Sequence, residues 1–264
     1  EIFESKTYGN EAKKLFNDAN KLLDEIISNK LLTANGVFGL YTANSVDDDI
    51  EIYTDENKGG VLSTFHTLRQ QSKKSKGEPN IALADFILPK ETETNDYIGA
   101  FAVTTGIGLE KTVKKFEEDQ DDYNSIMAKA IADRLVEAFA ELLHEKIRKE
   151  FWGYSPNENL TSEEKIKEKY IGIRPAPGYP AQPDHTEKPI IFNLLNATEK
   201  TGITLTESLA MYPAASVCGI YFSHPESKYF NVGKLGKDQI LDYHRRKGMS
   251  VNEIEKWLGS NLSY

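Results

Sequence analysis

Cysteine is almost absent from this chain. Of 264 residues only Cys218 carries a thiol. An intrachain disulfide framework is therefore excluded, as is a cysteine-built zinc or iron–sulfur site, and a reducing compartment, most simply the cytosol, is expected. Long apolar runs are missing as well. No stretch approaches the roughly 18 residues of a membrane-spanning helix, and the opening EIFESKTYGNEAKK has no apolar core of the kind a secretory signal needs. Basic residues do not dominate: the net charge is -9. Nucleic acid and anionic membrane surfaces repel such a chain, so neither is an expected partner. Familiar catalytic signatures are also lacking. GxGxxG after a strand, a P-loop, HExxH and GxSxG do not occur. Five histidines, His66, His144, His185, His224 and His244, are scattered without metal-ligand spacing. Each reads more readily as a structural or surface histidine than as a metal ligand, and no metal site is assigned.

What remains is an ordinary globular composition, 39% hydrophobic and 28% charged. Ala12, Leu15, Phe16, Ala19, Leu22, Leu23, Ile26 and Ile27 repeat at helical spacing, with Asn10 as the expected N-cap. Segments rich in β-formers follow at 37–43, 50–55, 61–66, 81–88 and 97–103, separated by polar turns. No helix of ten or more residues separates most of them, which disfavours a doubly wound parallel sheet. A long helical region is expected over 109–150. Thr161-x-x-Glu164 and Ser250-x-x-Glu253 are capping boxes. A helix is expected from about His185 to Gly202, two or three strands over 204–232, and a helix over 237–247 ending at Gly248. The order of elements points to an α+β fold. The chain reads as one domain, 1–264, excised from a longer polypeptide.

Two places could carry function. GIRPAPGYPAQPDHTEKP holds Pro175, Pro177, Pro180 and Pro183, which stiffen the backbone and remove N–H donors. Gly178 permits a sharp turn there. Such a loop suits either a rigid crossover or a clamp in which Arg174 binds a carboxylate bidentately and Tyr179 offers a ring or hydroxyl. The residues alone leave these readings balanced. Tyr221, Phe222, Tyr229 and Phe230 form an aromatic cluster around HPES. It reads as a hairpin core or as ring faces against a purine or a sulfonium cation. Glu137 and Glu141, four apart on one helix, face either solvent or a ligand.

RPAPGYP with PDHTEK, LTESLAM (205–211), YFSHPESKYFNVGK (221–234) and RRKGMSVNEIEKWL (245–258) resembles the C-terminal activation domain of vitamin B12-dependent methionine synthases. DDIEIYTDE, LADFILPK, DYIGAFAVT, DDYNSIMAKAIADRLVEAFAE and WGYSPNENL are similar in the same order, so the likeness covers nearly the whole chain. It implies a C-shaped α+β domain with a twisted antiparallel sheet flanked by helices. It implies a module of a methyltransferase that carries methyl from methyltetrahydrofolate to homocysteine through cobalamin. This module would bind S-adenosylmethionine and present it for reductive remethylation of oxidised cob(II)alamin, a proximity effect. On its own it would not be a complete catalyst. Cobalamin would be bound by a separate domain, and zinc by the homocysteine domain, which this chain lacks. Partners implied are that cobalamin domain and flavodoxin or a flavoprotein reductase.

By resemblance, Arg174, Pro175, Ala176, Tyr179, Tyr229, Phe230 and Glu137 would hold the methyl donor. Asp133 and Glu168 would face the cobalamin domain. No catalytic residue is assigned beyond Tyr179 as a candidate. Two departures stand out. An Asp-Trp stretch that opens the family region and contacts the donor is not in this sequence, and Gln182 stands where some members have Cys. A second expectation follows from the first: the chain could act as a docking module for the reductase and the cobalamin domain without binding donor.

Overall fold

The computed structural model describes residues 2–264. Among them are eight α-helices and seven strands in an α+β arrangement. Strands β1 (Thr33–Val46), β2 (Asp49–Tyr53), β3 (Val61–His66), β4 (Asp96–Ile107) and β7 (Ser216–Tyr221) form one sheet in the order β3-β2-β1-β4-β7. The β1–β2 and β2–β3 pairs are antiparallel, with Ala43 opposite Ile52 and Ile50 opposite Phe65. Two-residue strands β5 (Thr204–Leu205) and β6 (Met211–Tyr212) make a separate antiparallel pair. The chain divides into two compact units, 1–36 with 103–141 and 198–217, and 37–102 with 142–197 and 218–264.

In the first unit, helix α1 (Gly9–Ser28) packs Leu22 and Ile26 on Met127, Ala128 and Ile131 of α3 (Asp122–Lys146). Only part of the expected α1 stripe is buried. Leu15, Phe16 and Ile27 are exposed. Leu15 and Phe16 line an open apolar cleft of about 460 Å³ with Tyr123, Ile126 and Met127. The helix starts at Gly9, so Asn10 lies inside it, and the capping position, Tyr8, offers no side-chain bond. The region 109–150 is interrupted: α2 (Leu109–Glu118) stops at Asp119, Gln120 adopts a left-handed φ of 57°, and α3 begins at Asp122. A π-helical turn, 147–151, continues α3.

The second unit holds its own core. Leu68, Val232, Leu235, Ile240, Tyr243, Ile254 and Leu258 pack where α7 (Lys237–Lys247) meets α8 (Val251–Trp257). Both expected capping boxes form, at Thr161 before α4 (Ser162–Ile166) and at Ser250 before α8. The segment 81–88 is not a strand. Asp85 accepts from the Ala82 N–H and pairs with Arg69, winding 83–86 into a 3₁₀ turn that buries Leu83, Ala84 and Phe86. The helix expected from His185 is broken in two. Asp184 caps the start, α5 (Lys188–Leu195) ends at Asn196 with a φ of 49°, and α6 spans Ala197–Thr201. Cys218 on β7 is buried, and burial pushes its thiol up to about 12 against the opposing pull of Lys188.

Beneath the proline-rich loop lies a buried charge network. Lys247 Nζ donates to Asp184 at 2.7 Å and to Glu187. Tyr243 donates to Asp184 at 2.7 Å, and Glu187 accepts from the His66 N–H at 3.1 Å. Burial holds Glu187 above the ordinary carboxylate range despite Lys247. Asp184 lies below that range, because Lys247 and Thr186 outweigh its burial. Removing one partner of such a network leaves buried charge uncompensated. Lys247→Met is expected to cost about 3–5 kcal/mol; urea unfolding with an unchanged m-value and a lower midpoint would register it, and an unshifted midpoint would contradict it.

Candidate functional site

The proline-rich loop is fixed to the end of β7 by main-chain bonds. Ile173 and Phe222 exchange N–H···O bonds of 3.0 and 3.1 Å, and the Ile220 N–H donates to the Pro175 carbonyl at 2.9 Å. Two glycines permit this approach. A Cβ on Gly219 would lie 2.8 Å from the Pro175 oxygen, and one on Gly172, whose φ is 86°, would lie 2.4 Å from the Phe222 oxygen. The expected hairpin around HPES does not form: β7 ends at Tyr221, and Phe222 pairs with Ile173 instead of a returning strand.

Pro177 and Gly178 then take the two central positions of a tight turn. Gly178 has a φ of 97°, and the Tyr179 N–H donates to the Ala176 carbonyl at 3.2 Å. Proline followed by a positive-φ glycine is the signature of a type II turn. Gln182 locks it, accepting from Gly178 at 2.7 Å and donating to the Tyr179 carbonyl at 2.9 Å, while its side chain donates to the His66 carbonyl at 2.9 Å. The Val232 N–H donates to the Pro180 carbonyl at 2.9 Å. The Ala176 N–H makes no hydrogen bond among the described residues.

Arg174 is therefore held at its backbone before its side chain is considered. Its N–H donates to the Tyr229 hydroxyl at 3.0 Å. Its Nη1 donates to the Tyr170 hydroxyl and to His144 Nδ1, both at 3.4 Å. His144 is fully buried and stacks on Tyr221, ring centroids 5.1 Å apart; Tyr221 in turn stacks on Phe101 at 4.6 Å. One helical turn on, the buried Arg148 forms a bidentate pair with Glu158 at 2.7 and 2.8 Å and lies 4.2 Å from the Tyr170 ring centroid. Burial first, then the charges of Arg148 and Arg174, depress the His144 imidazole well below the ordinary value. Burial also raises the Tyr229 phenol, with Glu168 adding to the rise and Arg174 opposing it.

The expected site residues thus fall into four groups. Arg174, Pro175, Ala176 and Tyr229 converge on one face of the second unit, and Glu168, exposed with a φ of 52°, bears electrostatically on Tyr229. Tyr179 sits at the apex of the turn, 61% exposed. Phe230 is different: its half-buried ring packs on the Leu68–Tyr243 core and against Phe86. Glu137 and Asp133 lie exposed on α3 in the first unit, and Glu141 is half-buried there.

His144, Arg148 and Tyr170 were not anticipated beside Arg174. Spacing could have suggested them, because His144 and Arg148 are four apart on one helix face. Among the described residues no group of three His, Cys, Asp or Glu side chains converges in a way that could hold a metal ion, and no helix is long and apolar enough to cross a membrane.

Fold and site define an α+β domain that presents a braced arginine and tyrosine hydroxyls from a rigid loop. The family described as vitamin B12 dependent methionine synthase, activation domain, matches residues 1–248. A solved structure described as the MetH reactivation domain bound to AdoHcy is similar over 100% of this chain and 81% of its own, at 57% identity and a TM-score of 0.97. The chain belongs to the activation-domain family of B12-dependent methionine synthase.

The depressed His144 generates a stability prediction. Its folded form takes up a proton only well below the ordinary histidine value of 6.5 that holds when the chain unfolds. Acidification through that window therefore favours the unfolded state, by up to about 1.4 kcal/mol per pH unit. Relative to His144→Asn, the unaltered chain is expected to lose stability steadily below pH 6.5 and to show no such difference above it. Parallel denaturation curves from pH 7.5 to 5 measure this; coincident acid limbs would contradict it.

Proposed function

We propose that this chain binds S-adenosylmethionine at the 174–179 loop and presents it for the reductive reactivation of a cobalamin-dependent methionine synthase. The observation that carries the reading is the bracing of Arg174 through both its main chain and its side chain. A guanidinium held in one pose loses little freedom when it pairs with the donor's carboxylate. The Ala176 N–H, two residues on, supplies a main-chain donor beside it. The Tyr229 ring is partly exposed while its hydroxyl is tied to the loop, so ring and edge can flank a sulfonium. The related reactivation domain described with AdoHcy, at 57% identity, supports a ligand of this chemistry.

Cobalamin, carried by a separate domain of the parent enzyme, would supply the methyl acceptor. This chain's task is to orient the donor and keep its methyl group outward. Flavodoxin or a flavoprotein reductase would provide the electron. Exposed Asp133 on α3 and Glu168 beside the loop are the proposed contacts toward the cobalamin domain, and exposed Glu137 on α3 is a proposed donor contact. Their exposure also favours the second reading, a docking module for these partners that binds no donor.

Calorimetric titration separates the two. Saturable S-adenosylmethionine binding is expected, with Arg174→Ala weakened about 10- to 100-fold, the range of a charged hydrogen bond worth about 1.5–3 kcal/mol. Arg174→Lys should recover only part of this, because an ammonium cannot reproduce the planar fork. No heat at millimolar donor would favour the docking reading.

A further inference from the structure

We propose that His144 is a positioning residue for donor binding: its neutral ring accepts from Arg174 at Nδ1, donates to Tyr154 from Nε2, and thereby sets the pose of the guanidinium. The inference rests on the donor-binding reading above. Four observations on the buried ring carry it. Its Nδ1 lies 3.4 Å from Arg174 Nη1, and guanidinium nitrogens are donors only, so Nδ1 must be the acceptor. That tautomer leaves the proton on Nε2, which faces the Tyr154 hydroxyl at 3.5 Å. The Tyr221 ring lies parallel to the imidazole, 15° between planes, and Tyr170 meets it edge-on at 5.0 Å. The ring therefore has no room to turn over and exchange its nitrogens.

The groups facing His144 from each neighbouring element explain why it stays neutral. Arg148 lies one turn along its own helix, and Arg174 and Tyr170 come from the loop after α4. Tyr154 comes from the segment after the π-helical turn, and Tyr221 from β7. Glu158, near this group, is engaged bidentately by Arg148. A proton on Nδ1 would turn an acceptor for Arg174 into a third cation facing two arginines. A carboxylate in place of His144 would pair with Arg174 and compete with the donor's own carboxylate. A neutral imidazole aims the guanidinium without neutralising it.

The amide side chains separate position from bulk. Asn can place its carboxamide oxygen near Nδ1, whereas the longer Gln reaches toward Nε2. Titration of the full chain with S-adenosylmethionine is expected to give His144→Phe and His144→Gln about tenfold weaker than the unaltered chain, the effect of one lost hydrogen bond. His144→Asn should stay within about threefold. Should His144→Phe not fold, the Asn and Gln pair still decides. Lowering the pH should weaken donor binding by the unaltered chain more than by His144→Asn. Nitrogen NMR of the histidine rings, read without ligand, should show His144 Nδ1 unprotonated and shifted by Arg174→Ala. Equal binding by the Asn and Gln variants, wild-type binding by a folded His144→Phe, or a proton on Nδ1 would overturn the proposal. Failure of the donor reading looks different: the unaltered chain itself gives no saturable heat, and the role of His144 in donor binding falls with it.

Discussion

Everything at the candidate site hangs on the short antiparallel pairing of Ile173–Pro175 with Ile220–Phe222. Those few main-chain bonds convert a proline-rich loop, poor in donors of its own, into an extra rung beside β7. Arg174 lies between the two anchor points and cannot drift along the chain axis. The pairing requires glycine twice, at Gly172 and Gly219, since a methyl group at either would collide with the opposing carbonyl. Burial of Ile173, Phe222 and Tyr221 removes water that would otherwise compete for those bonds.

Around this rung the protein uses charge in two ways. Below the loop, Lys247 bridges Asp184 and Glu187, which also accept from Tyr243, Thr186 and the His66 N–H. Beside the loop, Arg148 is balanced by Glu158, while His144 next to it remains neutral. The first arrangement holds the descending half of the loop to α7. The second fixes Arg148 beside the His144 ring. Burial makes both costly to disturb, because an ion left without its partner has no solvent to replace it.

Much of this was legible in the residues. Capping boxes at Thr161 and Ser250, the helix ending at Gly248 and the runs of β-formers that became β2, β3 and β4 all report local physics, and they formed close to where they were read. Elements decided by distant contacts were less readable. The apolar run 81–88 has strand composition, yet Arg69 and Asp85 wind it into a turn. Phe222 looked like half of a hairpin because its partner, Ile173, is 49 positions away and separated from it by six prolines. At the site, Arg174 and Tyr229 stood out through motif and resemblance. His144 did not, because a lone histidine on an amphipathic helix carries no sign of what the fold brings to its ring. Phe230 packs its ring on the Leu68–Tyr243 core, a partner that aromatic composition does not name.

Cys218 has a practical consequence. The chain's one thiol lies inside β7 with 1% of its surface exposed, and burial pushes its ionisation up to about 12. Thiolate, the form that reacts with alkylating reagents and oxidants, is therefore scarce at neutral pH and out of reach. To reagents in solution the folded protein behaves as though it had no cysteine. A single cysteine introduced on the surface becomes the one reactive handle for a fluorophore or spin label, with no background mutation needed to silence the native residue.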